Sequence, residues 1–205
     1  MASDISEADA STGHSVAINM WTFNETTSDL LDVWTYAYKV IDQSTRGING
    51  ALALLESEGL PDGVDVRLES SVSQFYALRA LAHFDLVNLF GLPYKAGGGN
   101  SQPGIVVVSN DPIEEFQEVS RSSVEDTYIQ IKSDIVNAKK YAGASINQYY
   151  FNEAAINALE ARVNLYMHNY PAAKTAAQAA IDLRNAAPVD SATYIDMWRN
   201  TAITA

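Results

Sequence analysis

Few side chains in this chain are suited to chemistry, and the spacing of most of them fits no reaction. Cysteine is absent, which removes disulfides, thiol nucleophiles, zinc–thiolate sites and iron–sulfur clusters together. The three histidines, His14, His83 and His168, are too scattered for a His-rich metal site. His83 and Asp85 stand two apart in a helical pattern and so point to different faces, which argues against a shared metal. Glu114 and Glu115 adjoin a loop, but a glycosidase pair needs carboxyls ~5–10 Å apart across a cleft. These two read instead as a solvated acidic loop. No nucleophile elbow, phosphate loop, H-E-x-x-H helix or dinucleotide fingerprint occurs. Gly97-Gly98-Gly99 follows no strand and opens no helix, so it reads as flexibility. The residues predict no catalytic group, no metal and no cofactor.

The aromatic residues point to binding. Of 3 Trp, 11 Tyr and 6 Phe, most recur at helical core spacing. Trp21, Phe23, Tyr94, Tyr149, Tyr150 and Phe151 lie in predicted loops instead. Sugar rings present C–H patches that lie flat on aromatic faces, while amides and carboxylates bond their hydroxyls. Tyr94 with Asn100, Ser101 and Gln102 supplies that combination, and Trp21 is a further candidate. The other reading of Tyr94 is a cap on the apolar core of the helix before it.

The scaffold that must carry these residues is helical. Hydrophobic residues make up 47% of the 205 and charged ones 19%, enough to bury a core. A net charge of -12 argues against nucleic acid or an anionic lipid surface as partner, since both repel an acidic protein. The longest apolar runs, such as Ile105-Val106-Val107-Val108, fall far short of the ~20 residues a bilayer needs. Residues 1–9 have neither a basic stretch nor an apolar one, so they do not read as a signal peptide.

Up to Thr27 the chain reads as irregular. Leu30, Leu31, Trp34, Tyr38, Ile41, Ile48 and Leu55 recur at three and four, predicting a helix from about Ser28 that the Gly59–Gly63 turn ends. A second helix, about Leu68 to Phe90, is apolar on nearly all sides, the mark of a central helix. Gly91 and Pro93 stop it. Residues 91–120 form a long loop with an extended stretch at Ile105–Val108. Ser122-Ser123-Val124-Glu125 reads as a capping box that opens a third helix. A fourth, from about Asn152 to Met167, is followed closely by a fifth from Pro171 to Arg184 and a short one from Ser191 to Arg199. Arg79, Asp85 and Arg162 lie in apolar helices and read as buried charges with neighbouring partners. In the pair from 152 to 185, the small residues Ala158, Ala161, Ala173, Ala176, Ala177 and Ala180 let the backbones approach, with Leu159, Leu165, Tyr166, Tyr170 and Ile181 filling between them. That pattern resembles a tetratricopeptide repeat.

Four blocks in order carry a family resemblance. Arg79-Ala80-Leu81-Ala82-His83-Phe84-Asp85-Leu86-Val87-Asn88-Leu89-Phe90-Gly91-Leu92-Pro93 is similar to the "RA..yfDLv..fG..P" block of the SusD/RagB family, outer-membrane nutrient-binding lipoproteins. Arg121-Ser122-Ser123-Val124-Glu125 through Ile135 resembles "RsTveevY.qIi.DL". Ala154-Ala155-Ile156-Asn157-Ala158-Leu159-Glu160-Ala161-Arg162 through Met167 resembles "AA.ALLARvyLYm". Upstream, Trp34, Tyr38 and Ile41 are similar to "W..lY..I..aN", with Thr45 where the family usually has Asn.

The resemblance implies an all-α fold of tetratricopeptide-like helical repeats with long inter-helix loops. It implies one domain over residues 1–205, similar to the N-terminal half of a longer protein whose signal peptide and lipid-anchored Cys stand outside this chain. The implied function is cell-surface binding of an oligosaccharide, or less often a peptide, for delivery to a TonB-dependent SusC-like transporter in the outer membrane. The loop after the second helix then belongs to the glycan face, with Tyr94 stacking on a ring and Asn100 and Gln102 bonding hydroxyls. The alternative is a helical-repeat scaffold that binds a protein segment and has no glycan role.

Overall fold

The computed structural model describes residues 20, 22–24, 27–143, 149–184 and 190–199. Six helices supply the regular structure: α1 (Ser28–Leu55), α2 (Val64–Phe90), α3 (Val124–Lys140), α4 (Glu153–Tyr166), α5 (Tyr170–Arg184) and α6 (Ser191–Arg199). The expected all-α fold is present.

Helix α1 turns Ile41, Ser44, Thr45, Ile48 and Ala51 inward at three- and four-residue steps and packs along α2. It runs unbroken through Gly47, where the ring of Phe75 occupies the place of a side chain. A Cβ at Gly47 would lie 2.6 Å from Phe75 Cε2. Helix α2 is the central element, in contact with α1, α3 and α4. It begins four residues before the period predicts. Gly63, at φ 75°, turns the chain so that Val64 N–H reaches the Pro61 carbonyl at 3.1 Å, which starts the first turn early. The core gathers Ile41, Phe84, Leu86, Ile105, Tyr128, Ile131, Ile135, Ile156 and Val163.

The capping box of α3 lies one residue later than the sequence suggests. Ser123 accepts from Asp126 N at 3.0 Å and donates to Asp126 Oδ2 at 2.6 Å. Ser122 is unavailable because its N–H bonds the Ile105 carbonyl and its own carbonyl accepts from Gly104 N. Glu125, freed from capping, accepts the Tyr94 hydroxyl at 3.1 Å.

The Ile105–Val108 stretch is extended, as expected, but joins no strand among the described residues. Ser122 N–H bonds the Ile105 carbonyl at 2.8 Å, and helix side chains bond the backbone that follows. Tyr38 Oη donates to the Val106 carbonyl and accepts from Val106 N, both at 2.9 Å. Val108 N–H donates to His83 Nε2 at 3.3 Å. Arg79 donates to the Ser109 carbonyl, and Asn49 to that of Asn110 at 2.8 Å. A strap with Ile105 and Val108 buried is thereby fastened across α1 and α2. Burial raises the Tyr38 hydroxyl to about 12, so it stays protonated and can donate.

Arg79 fulfils the buried-charge reading through Asp134 on α3. Asp85 of α2 and Arg162 of α4 do not: they face each other at 4.0 Å with about half of each side chain exposed, because they lie at the open edge between the two helices. Helices α4 and α5 form a hairpin, with His168 left-handed (φ 59°) in the turn. Of the six small residues expected at the crossing, Ala173 and Ala176 are buried, Ala161, Ala177 and Ala180 are partly buried, and Ala158 is exposed. Of the five residues read as filling between the helices, only Leu159 is buried. Leu165, Tyr166, Tyr170 and Ile181 are 51%, 45%, 60% and 41% exposed. A two-helix hairpin has two faces, and the rest of the fold covers one of them. Among the described residues, no helix is long and apolar enough to cross a membrane.

Candidate functional site

Tyr94 follows directly from the end of α2, where Gly91 N–H closes the last turn on the Val87 carbonyl at 2.9 Å. Its ring meets Tyr128 edge-on at 4.9 Å, and Tyr128 meets Phe84 edge-on at 6.3 Å. The core-capping reading of Tyr94 is met on this side. One edge packs on the core, and the rest of the half-buried ring is open. Desolvation, followed by the Glu125 carboxylate, raises its hydroxyl above the ordinary value.

Asn100 and Gln102 share this loop but serve it differently from the expectation. Asn100 is 2% exposed. Its Oδ1 accepts from Lys95 N at 2.7 Å and its Nδ2 donates to the Lys95 carbonyl at 3.2 Å. Gln102 Nε2 reaches back to the Pro93 carbonyl at 3.4 Å. Direct bonding of sugar hydroxyls by Asn100 does not fit this burial, because both ends of its amide already close the turn. That turn crosses Gly97, Gly98 and Gly99, all at positive φ, where a side chain would be strained. Trp21 lies outside the described residues.

Tyr94 opens onto a cleft of about 670 Å³ whose polar and aromatic lining is Asp85, Asn88, Tyr94, Arg162, Tyr166 and His168, with Val87 and Pro93 among its apolar parts. Asp85 and Asn88 come from one face of α2, three residues apart. Arg162 and Tyr166 come from one face of α4. Tyr166 packs edge-on against Phe84 at 5.1 Å, and the Arg162 guanidinium lies over the same ring at 5.3 Å. Partial burial raises the Asp85 carboxyl above its ordinary value, and Arg162 opposes that rise. A neighbouring groove of about 490 Å³, lined by Leu30, Leu31, Trp34 and Phe90, has no charged lining.

Asp85, Arg162 and Tyr166 are the cleft residues that sequence reasoning assigned to packing. The available signals were Asp85 and Asn88 at i and i+3, and Tyr166 in the last turn of its helix. Glu114 and Glu115 are exposed. Among the described residues, no group of three or more His, Asp or Glu is close enough to hold a metal ion.

A SusD-like family, described as "Starch-binding associating with outer membrane", matches residues 2–165. The chain belongs to the SusD-like family. SusD-like protein P38 of Formosa agariphila is 30% identical over 110 residues, which are 54% of this chain and 20% of that protein. A SusD superfamily structure from Bacteroides thetaiotaomicron superposes at a TM-score of 0.68 with 29% identity, over 80% of this chain and 34% of its own. A laminarin-binding SusD-like protein shares the fold at a TM-score of 0.61 and 19% identity, over 92% of this chain and 38% of its own. The chain thus spans about a third of the length of these SusD-like structures.

Proposed function

We propose that this SusD-like protein binds an oligosaccharide at the outer-membrane surface and passes it to a TonB-dependent SusC-like transporter. One observation carries the reading: Tyr94 and Tyr166 line the same cleft as Asp85, Asn88 and Arg162. Aromatic faces beside charged and amide groups are what a sugar ring and its hydroxyls require. Membership of a family described as starch-binding supports the ligand class. Affinity electrophoresis against a glycan panel tests it. Binding without release of cleavage products is expected, with Tyr94→Ala weakening it about fivefold, the equivalent of ~1 kcal/mol of ring stacking. Unchanged affinity in Tyr94→Ala would remove this cleft from the reading. Co-isolation with an outer-membrane transporter tests the delivery step.

A second reading is favoured by the exposed apolar residues Leu165, Tyr170, Ile181 and Leu183, which suit a scaffold that docks a protein segment. A blank glycan panel together with capture of an amphipathic helical peptide would favour it.

A further inference from the structure

Among the described residues, the ion pairs differ in one respect. Arg79–Asp134 and Arg46–Asp42 close to 2.7 and 3.0 Å, and Lys139–Glu160 is also in direct contact. Arg162 Nη2 and Asp85 Oδ1 stand 4.0 Å apart, both half exposed, beyond the reach of a charge-assisted hydrogen bond. Among the described residues neither side chain makes a direct hydrogen bond. The Arg162 guanidinium lies over the Phe84 ring at 5.3 Å, and Asp85 is the next residue along α2, so both charged groups sit at the same stretch of that helix.

A carboxylate only accepts, a guanidinium only donates, and a hydroxyl does both. Two adjacent hydroxyls on a sugar ring therefore fit the pair, one donating to Asp85 and its neighbour accepting from Arg162. We infer that Asp85 and Arg162 form a clamp for a vicinal diol, so that the cleft selects neutral glycans with two adjacent free ring hydroxyls. This rests on the carbohydrate reading above and adds the ligand class to it. The two charges cancel within the cleft. An acidic sugar would gain Arg162 but meet Asp85 and the field of a chain carrying a net charge of -12.

Titration of the full chain with three hexasaccharides tests the clamp. Maltohexaose keeps a free 2,3-diol on every ring. The interior rings of laminarihexaose keep no adjacent pair, and a galacturonate hexamer keeps the diol but adds carboxylates. Maltohexaose is expected to bind at least tenfold tighter than either of the others. Asp85→Ala and Arg162→Gln should each bring the maltohexaose-to-laminarihexaose ratio close to one. The milder Asp85→Asn, which keeps the side-chain shape, should lower it at least threefold. Circular dichroism confirms that each variant is folded. If glycans bind but the three bind alike, or the variants keep the wild-type ratio, the clamp is wrong and the carbohydrate reading stands. If no hexasaccharide binds, both fall together.

Discussion

Arg79 of α2 grips Asp134 of α3 through two parallel hydrogen bonds, Nε to Oδ2 at 2.9 Å and Nη2 to Oδ1 at 2.7 Å, in a site closed to solvent. The same guanidinium reaches Thr45 on α1 at 3.1 Å and the Ser109 carbonyl in the strap. One side chain thus joins three helices and the loop that crosses them. Asp134→Asn would leave a buried cation short of its partner, which destabilises by about 3–5 kcal/mol. Urea unfolding should show that loss. An Arg79→Met, Asp134→Leu double variant should recover most of it, because no buried charge is then left unpaired.

Tyr38→Phe isolates the strap. It removes the one hydroxyl that serves both polar groups of Val106, leaving a half-buried N–H and C=O without those bonds. The expected cost is about 1–3 kcal/mol. Amide hydrogen exchange at Val106 should accelerate well beyond any change in the α3 amides. Equal acceleration everywhere would mean that the strap and the helices open only together.

Stability should fall with pH through His83. Burial first, and the Arg79 charge second, push its pKa down to about 3. Between about 6.5 and 3 the unfolded chain binds a proton that the native state refuses, so native stability declines as pH falls, by ~1.4 kcal/mol per unit. Asp85 and Asp134 are both raised above the ordinary carboxylate value and act in the opposite sense at the acid end. The comparison is therefore with His83→Gln, whose side-chain oxygen still accepts from Val108 N. The wild type should lose stability more steeply than the variant between pH 6 and pH 4, read from urea midpoints.

Two glycines on α1 should respond oppositely to alanine. A Cβ at Gly47 meets the Phe75 ring at 2.6 Å, whereas one at Gly50 meets nothing within 4 Å. Gly47→Ala overpacks the α1–α2 contact and should cost about 1–3 kcal/mol. Gly50→Ala, in an open helix interior, should stabilise by about 0.5–1 kcal/mol. Thermal unfolding of the two variants gives both signs directly.

The sequence by itself determined the helices and where most of them stop. Periods of three and four, Gly91 with Pro93, and the short turn before Pro171 are local signals, and local signals set helix existence and ends. It also identified the extended stretch at Ile105–Val108, the buried role of Arg79, and the ordered blocks that mark the family. What it missed depended on residues distant along the chain. The cap of α3 moved from Ser122 to Ser123 because Ile105 claims the Ser122 N–H. The strap's partners come from positions 38, 49, 79 and 83, which no pattern near residue 106 records. Asn100 looked like a free amide until the glycine turn folded it onto Lys95. Tyr166 looked like hairpin filler, yet it lines the cleft, because α2 and α3 cover only one face of α4. Helical periodicity separates an apolar face from a polar one, but only tertiary packing decides which apolar residues find a neighbour and which are left to line a cavity.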